Sequence, residues 1–228
     1  MCGRYSITTP VEALARLFRF SGPLPNLPPR YNVAPTQQVP IVRRASANGE
    51  RELLQVRWGL VPFWAKDAKI SYSLINARAD GVDTKPSFRE AFKRGRHCLI
   101  AADGYYEWEK KGTTKQPWRY TLKDGGPFAF AGLWERWEKA PDGVPVESCT
   151  IITTAANSLA AKLHDRMPVI LADRDVQRAW LDPGLGAEEA LQLCGPLAEA
   201  RLSAAPANPA LNKPDQDLEG PELLRPPE

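Results

Sequence analysis

The sequence predicts an α+β fold: a mainly antiparallel, barrel-like β core with helices at its periphery. Three observations lead there. From about residue 39 to residue 154 the apolar runs are short and rich in β-branched and aromatic residues, as strands require. Helical periodicity is confined to the two ends of the chain and one stretch near residue 90. The strand-like runs also follow one another without the regularly alternating helices of a parallel sheet.

Each element follows from its local pattern. CGRYSITT reads as a short opening strand. In TPVEALARLFRF, Thr9 stands as N-cap, Pro10 at the first helical position and Glu12 three beyond Thr9, a capping box that predicts a helix near 10–19 with Val11, Leu14, Leu17 and Phe18 on one face. SGPLPNLPPR is a proline-rich connector. The β signals then come as VPIVRR, LLQVRWGL, CLIAADGYYEWE, WRYTLK, PFAFAGLWERW and SCTIITTA, with DGG at 124–126 predicting a hairpin and SFREAFKR a short helix. NSLAAKLHD, DRDVQRAWL and AEEALQLC read as helices, and MPVIL as an intervening strand. The segment from about 203 is rich in proline and acidic residues and is expected to pack loosely. One domain over residues 2–228 is expected.

Composition narrows the function classes. Apolar residues at 43% and charged residues at 25% describe a globular chain with a sizeable core. With 30 basic and 27 acidic residues, the net charge of +3 is too balanced for a polyanion binder that works by overall field, so any such site must be local. Cysteines at 2, 98, 149 and 194 lack CxxC spacing and are expected to be reduced thiols. Two histidines and scattered cysteines argue against a zinc site, and no metal or cofactor is expected. No apolar run nears the roughly 18 residues of a membrane span, and a secretory signal is not evident, so a cytoplasmic location is expected. With no coiled-coil pattern or interface stripe, a monomer is expected.

The chemistry-bearing residues are few. Trimming of Met1 would leave Cys2 with a free α-amine beside its thiol. The amine, with an ordinary pKa of about 7.7–8.0, is a nucleophile near neutrality, and the thiol is only slightly less ready. With an aldehyde the amine forms a Schiff base, on which the thiol closes to give a five-membered thiazolidine. Taken alone, a cysteine at position 2 reads more readily as an inert small residue. In LINARAD, Asn76 and Arg78 lie two apart on an extended segment and share a face. One can hydrogen-bond a reacting amine and the other can hold an anion; an ordinary polar strand face has the same pattern. In ADGYYEWEK, Glu107 lies between Tyr106 and Trp108. A carboxylate among aromatics suits a proton shuttle, and Trp108 could stack on a nucleobase; a surface strand with Tyr105, Glu107 and Glu109 facing solvent fits equally. His164, in LHDRMP, can exchange a proton at physiological pH, whereas His97, in the apolar HCLIA, fits a structural place. RYNVAPTQ puts Asn32 and Pro35 on a rigid, proline-punctuated loop, where a proline can lean on an unstacked base.

Taken in order, MCGRY, RYNVAPTQ, WGLVPFWAKD, INARAD, ADGYYEWE and LHDRMP resemble the SRAP family of SOS-response-associated peptidases. The resemblance implies an abasic-site processing protein whose N-terminal Cys2 crosslinks to the aldehyde of an abasic site in single-stranded DNA as a thiazolidine, with lyase activity through the imine. It implies that Asn76 steadies the amine, that Glu107 shuttles protons, and that His164 assists sugar-ring opening and reversal. It also points to Arg4, Arg78 and Arg166 as phosphate contacts and to Pro35, Trp64 and Trp108 as groups lying along bases. Where some members carry an arginine after the INAR motif, this chain offers Lys85 and Arg89, and a lysine lacks the guanidinium fork. Two other functions compete: a cysteine peptidase using Cys2 and His164, with Met1 as a natural substrate, and a non-catalytic single-strand binder built on stacking.

Overall fold

A computed structural model describes residues 2–45, 49–213 and 218–226. Met1, whose trimming is expected, lies outside them, as do parts of the late segment. The strands are β1 (Tyr5–Ile7), β2 (Arg30–Val33), β3 (Gln38–Arg44), β4 (Arg51–Trp58), β5 (Asn76–Arg78), β6 (His97–Ala102), β7 (Gly104–Lys111), β8 (Thr114–Leu122), β9 (Phe128–Trp137), β10 (Val146–Ala155), β11 (Arg166–Pro168), β12 (Ile170–Leu171) and β13 (Leu202–Pro206). The α-helices are α1 (Val11–Phe18), α2 (Arg89–Lys93), α3 (Arg174–Trp180) and α4 (Ala187–Gln192).

The fold is α+β and mainly antiparallel, as the sequence predicts. Strands β10, β4, β3, β6 and β9 form a continuous path, and β9 pairs with β10 to close it into a barrel. Parallel pairing occurs where β10 meets β4 and β5. The closure depends on Gly132, opposite Cys98: a Cβ there would come within 2.8 Å of the Cys98 sulfur and of Ile100. A second antiparallel sheet, in the order β13-β8-β7-β1-β2, packs on the barrel. Tyr5 of β1 joins the two, its ring meeting Trp58 at 5.2 Å and Phe130 at 5.6 Å edge-on.

Several local expectations are corrected. CLIAADGYYEWE is two strands in different sheets, because the chain bends at Asp103. That carboxylate accepts from Ser6 Oγ at 2.7 Å, from Thr8 Oγ1 at 2.8 Å and from the backbone N–H groups of Thr8 and Thr9, and Arg119 pairs with it at 3.0 Å. Thr9 is thereby drawn to Asp103 and caps nothing; Pro10 is the N-cap of α1 without a side-chain bond, so the capping box does not form. DGG does turn, with Asp124 Oδ1 accepting from Gly126 N, but β8 and β9 belong to different sheets and make no hairpin. NSLAAKLHD supplies only the 3-10 turn Ala160–Lys162. MPVIL splits at Val169 into β11, paired with β10, and β12, paired with β9.

The late segment is not loose over its described residues. Strand β13 pairs with β8. Ala207, Leu211 and Leu223 bury against Tyr106, covering the face of β7 that turns away from the barrel. Glu219 Oε1 pairs with Arg30 at 2.8 Å, while Oε2 accepts from the backbone N–H groups of Tyr31 and Asn32, capping the edge of β2. Glu219 is thus a backbone acceptor.

Candidate active site

Strand pairing brings the N-terminus to the centre of the molecule. Tyr5 lies opposite Tyr105, and the Tyr106 N–H donates to Arg4 O at 3.0 Å, so the ladder runs on toward Cys2. Cys2 is fully buried and belongs to the main core. Asn76, at the start of β5, donates from Nδ2 to the Cys2 carbonyl oxygen at 2.9 Å. Its Oδ1 is buried and has no hydrogen-bond partner among the described residues. An amide oxygen in that state calls for a donor, so an acceptor stands open beside Cys2.

Glu107 is 7% exposed on β7, which excludes the solvent-facing strand as its setting. Burial raises its carboxyl above the ordinary value, and the charge of His164 pulls the other way. Burial likewise pushes the Cys2 thiol up, and the Glu107 charge reinforces it; the sulfur lies 3.8 Å from Arg4 O. His164 follows the Ala160–Lys162 turn. Its Nδ1 accepts the Arg166 N–H at 3.0 Å, which places the proton of a neutral ring on Nε2. Asp165 Oδ1, 2.8 Å from the same nitrogen, would instead hold a protonated ring. Cys2, Asn76, Glu107 and His164 thus converge from four separate segments.

The residues expected around DNA divide into two groups. Arg78, Lys85 and Trp64 are exposed, and Trp64 is tied by Nε1 to the carbonyl of Pro86, next to Lys85. Pro35 lies in the turn after β2, half-buried; Asn32 is not on that loop but buried in β2. Trp108 is half-buried and donates to Asn212 at 2.8 Å. Arg166 is largely buried and gives its NH2 to Thr153 O and to Asp80 Oδ1, both at 2.7 Å. Arg78 pairs with the other Asp80 oxygen at 3.0 Å, and together these arginines hold that carboxyl below its usual range, Arg78 foremost. Arg4 donates to Asn32 Oδ1 at 2.5 Å.

Sequence reasoning did not assign Asp80, Asn32 or Asp103 a place in the site. The signal for Asp80 was present, two residues beyond Arg78 in INARAD; the others are identified only by contacts spanning much of the chain. His97 is structural, stacked 4.2 Å from Trp180 and lowered to about 4 by burial. All four cysteines are free thiols. Among the described residues no group of His, Cys, Asp and Glu could hold a metal ion, and no helix is long and apolar enough to cross a membrane.

The family model for SOS response associated peptidases (SRAP) matches residues 1–214. The chain belongs to the SRAP family. Its SRAP relatives include the abasic site processing protein YoqW of Bacillus subtilis (strain 168), 41% identical over 228 residues, or 98% of this chain and 99% of that protein. The abasic site processing protein HMCES of Mus musculus is 30% identical over 273 residues, covering 99% of this chain and 76% of that one. A crystal structure of a protein from Bacteroides thetaiotaomicron matches with a TM-score of 0.88 at 29% identity, covering all of both chains. The family model thus covers residues 1–214, and the likeness to YoqW runs over nearly the whole chain.

Proposed function

We propose that this protein processes abasic sites in single-stranded DNA by forming a covalent thiazolidine through Cys2 once Met1 is removed. The observation that carries this reading is the convergence of a buried position-2 cysteine with Asn76, Glu107 and His164, with an unpartnered Asn76 oxygen beside Cys2. The α-amine of Cys2 would donate to that oxygen, which aims its lone pair. The amine then adds to the aldehyde carbon of the ring-opened sugar; the carbinolamine loses water to an imine; and the sulfur adds to the imine carbon as its proton passes to nitrogen. One water leaves and two bonds form, C–N and C–S.

Glu107 carries the protons. A carboxyl raised by burial is a competent acid toward the departing hydroxyl and, once ionised, a base toward the thiol. His164 acts on the sugar oxygen during ring opening and on reversal. Lyase activity follows from the same imine by loss of the 3′-phosphate. Exposed Arg78 and Lys85 meet phosphates and Trp64 meets a base; such contacts give affinity without sequence preference. The peptidase alternative rests on a thiolate–imidazolium pair, but burial first and the Glu107 charge second raise the Cys2 thiol, which disfavours the thiolate.

The test is incubation of Met1-processed protein with a single-stranded oligonucleotide containing one abasic site. A heat-stable adduct is expected with the wild type and none with Cys2→Ala. An adduct of equal yield from Cys2→Ala, or none from the processed wild type, defeats the proposal.

A further inference from the structure

A cavity of about 350 Å³ opens between the β7–β8 sheet face and the turn before His164, and none of the four convergent residues lines it. One wall is the sheet face that carries Glu107. In the β7–β8 pairing Glu107 lies opposite Trp118 and Tyr105 opposite Tyr120, so Trp118, Tyr120, Glu107 and Glu109 share a side. The facing wall is Leu159, Lys162 and Leu163, the turn that delivers His164 as its next residue. The cavity therefore lies between the segments that supply Glu107 and His164. Tyr120, pushed up to about 12 by burial and then by the Glu107 charge, marks the same closeness.

The lining has a definite chemistry. Trp118 gives an aromatic face and is held by its Nε1 donating to Glu109 Oε2 at 2.9 Å. Lys111 reaches the same oxygen at 3.4 Å, which leaves Glu109 Oε1 without a partner among the described residues. Exposed Lys162 stands at the rim. An aromatic wall, a carboxylate oxygen open to an N–H donor and a cation at the mouth together fit a flat, amino-bearing heterocycle attached to a phosphate. A purely aliphatic ligand would offer Glu109 Oε1 no donor while displacing water from it.

We infer that this cavity receives an unpaired nucleobase adjacent to the abasic site, stacked along Trp118, and that Glu109 favours bases with an exocyclic amino group over thymine. This rests on the proposed reaction with abasic single strands. Stacking on an aromatic is worth about 1–3 kcal/mol per base, roughly 5- to 150-fold in affinity. A carboxylate accepts from the cytosine N4 amino group, whereas an unpaired thymine offers only its N3–H, flanked by two carbonyl oxygens that repel the carboxylate.

The experiment measures binding by fluorescence anisotropy, with a tetrahydrofuran residue replacing the lesion so that no chemistry intervenes. The nucleotide on its 5′ or 3′ side is dC, dT or a second tetrahydrofuran. On one side, dC is expected to bind at least fivefold more tightly than tetrahydrofuran and severalfold more tightly than dT. Trp118→Leu should erase the dependence on a base. Glu109→Gln, which keeps an acceptor for Trp118 but adds an amide N–H, should erase or reverse the preference of dC over dT; Trp118→Phe, the milder change, should retain part of the stacking gain. Affinity indifferent to the flanking base on both sides overturns the inference, as does a preference unmoved by Glu109→Gln. Crosslinking to a true abasic oligonucleotide is read separately: an adduct that forms without flank dependence sinks the subsite alone, whereas absence of any adduct sinks the reaction.

Discussion

Replacing Glu107 with glutamine should make the protein more stable and far less active, and the gain in stability should depend on pH. The carboxyl is 7% exposed, and burial raises it above its unfolded value. The sign follows from linkage: a group raised in the folded state adds stability that is fully present below its unfolded pKa and is lost as pH rises through the folded pKa. Above the unfolded pKa the unfolded chain ionises freely while the folded one does so only against burial, a penalty that glutamine, nearly the same shape, does not carry. Each tenfold change in proton affinity between folded and unfolded chain is worth about 1.4 kcal/mol, or about 3–6 °C in Tm for a chain of this size. Scanning calorimetry of both proteins at about pH 4 and about pH 8 should show Tm values that nearly coincide in acid and diverge above it, with Glu107→Gln the higher. Crosslinking should meanwhile slow by about 10²–10⁴-fold, the usual worth of a positioned acid–base group. A variant less stable than wild type at pH 8, or a Tm difference that ignores pH, would refute the placing of a buried, raised carboxyl at Glu107.

The other expectations concern the residues that hold the site. Asn32→Ala, which removes the acceptor of Arg4, should weaken binding of a non-reactive abasic-site oligonucleotide by about tenfold in an anisotropy titration and also slow single-turnover crosslinking at saturating DNA, because the segment behind Cys2 loses one of its anchors. Leu223→Ala, at a position 1% exposed against Tyr106, should cost about 2–5 kcal/mol and lower Tm by about 5–20 °C, which a loosely packed tail would not do. Asp80→Ala should release Arg78 and Arg166 from their shared exposed carboxylate, tighten single-strand binding at low salt and steepen its salt dependence, with Tm almost unchanged in the same calorimetric scan.

What the sequence disclosed and what it withheld divide along one physical line. Alternation and helical spacing are local, so most strands of the barrel, α1 and α2 could be read directly, while β13 could not. Pairing partners are not local: DGG signals a turn whether the strands it joins share a sheet or, like β8 and β9, do not. The capping box failed for the same reason, since Thr9 is claimed by Asp103, 94 residues away. The tail was misjudged because proline and acidic content describe a chain with little to bury by itself, whereas Leu211 and Leu223 bury on a strand a hundred residues earlier. In the site, residue types were legible and their partners were not: Asn76 could be chosen beside Arg78, but its bond to the Cys2 carbonyl, which leaves the amide oxygen open, exists only in the folded chain.

Cys2, the nucleophile of the proposed reaction, lies near a terminus, where fraying is the rule, yet it is wholly buried. The contacts that follow it explain why. Asn76 holds the Cys2 carbonyl, Tyr106 holds that of Arg4, Asn32 holds the Arg4 guanidinium, and Asp103 gathers Ser6, Thr8 and Thr9. Asn32 is fixed in turn from the C-terminal side, its Nδ2 donating to Leu218 O at 3.1 Å and its N–H to Glu219. A misplacement of about 1 Å at a reacting group can reduce a rate a hundredfold, so the anchoring belongs to the site as much as the nucleophile does. For the proposed reaction the site also bears on the order of events: burial and the Glu107 charge raise the thiol and so disfavour the thiolate as the first nucleophile, which would leave the amine to open the reaction and the sulfur to follow, its proton drawn off once the imine is in place.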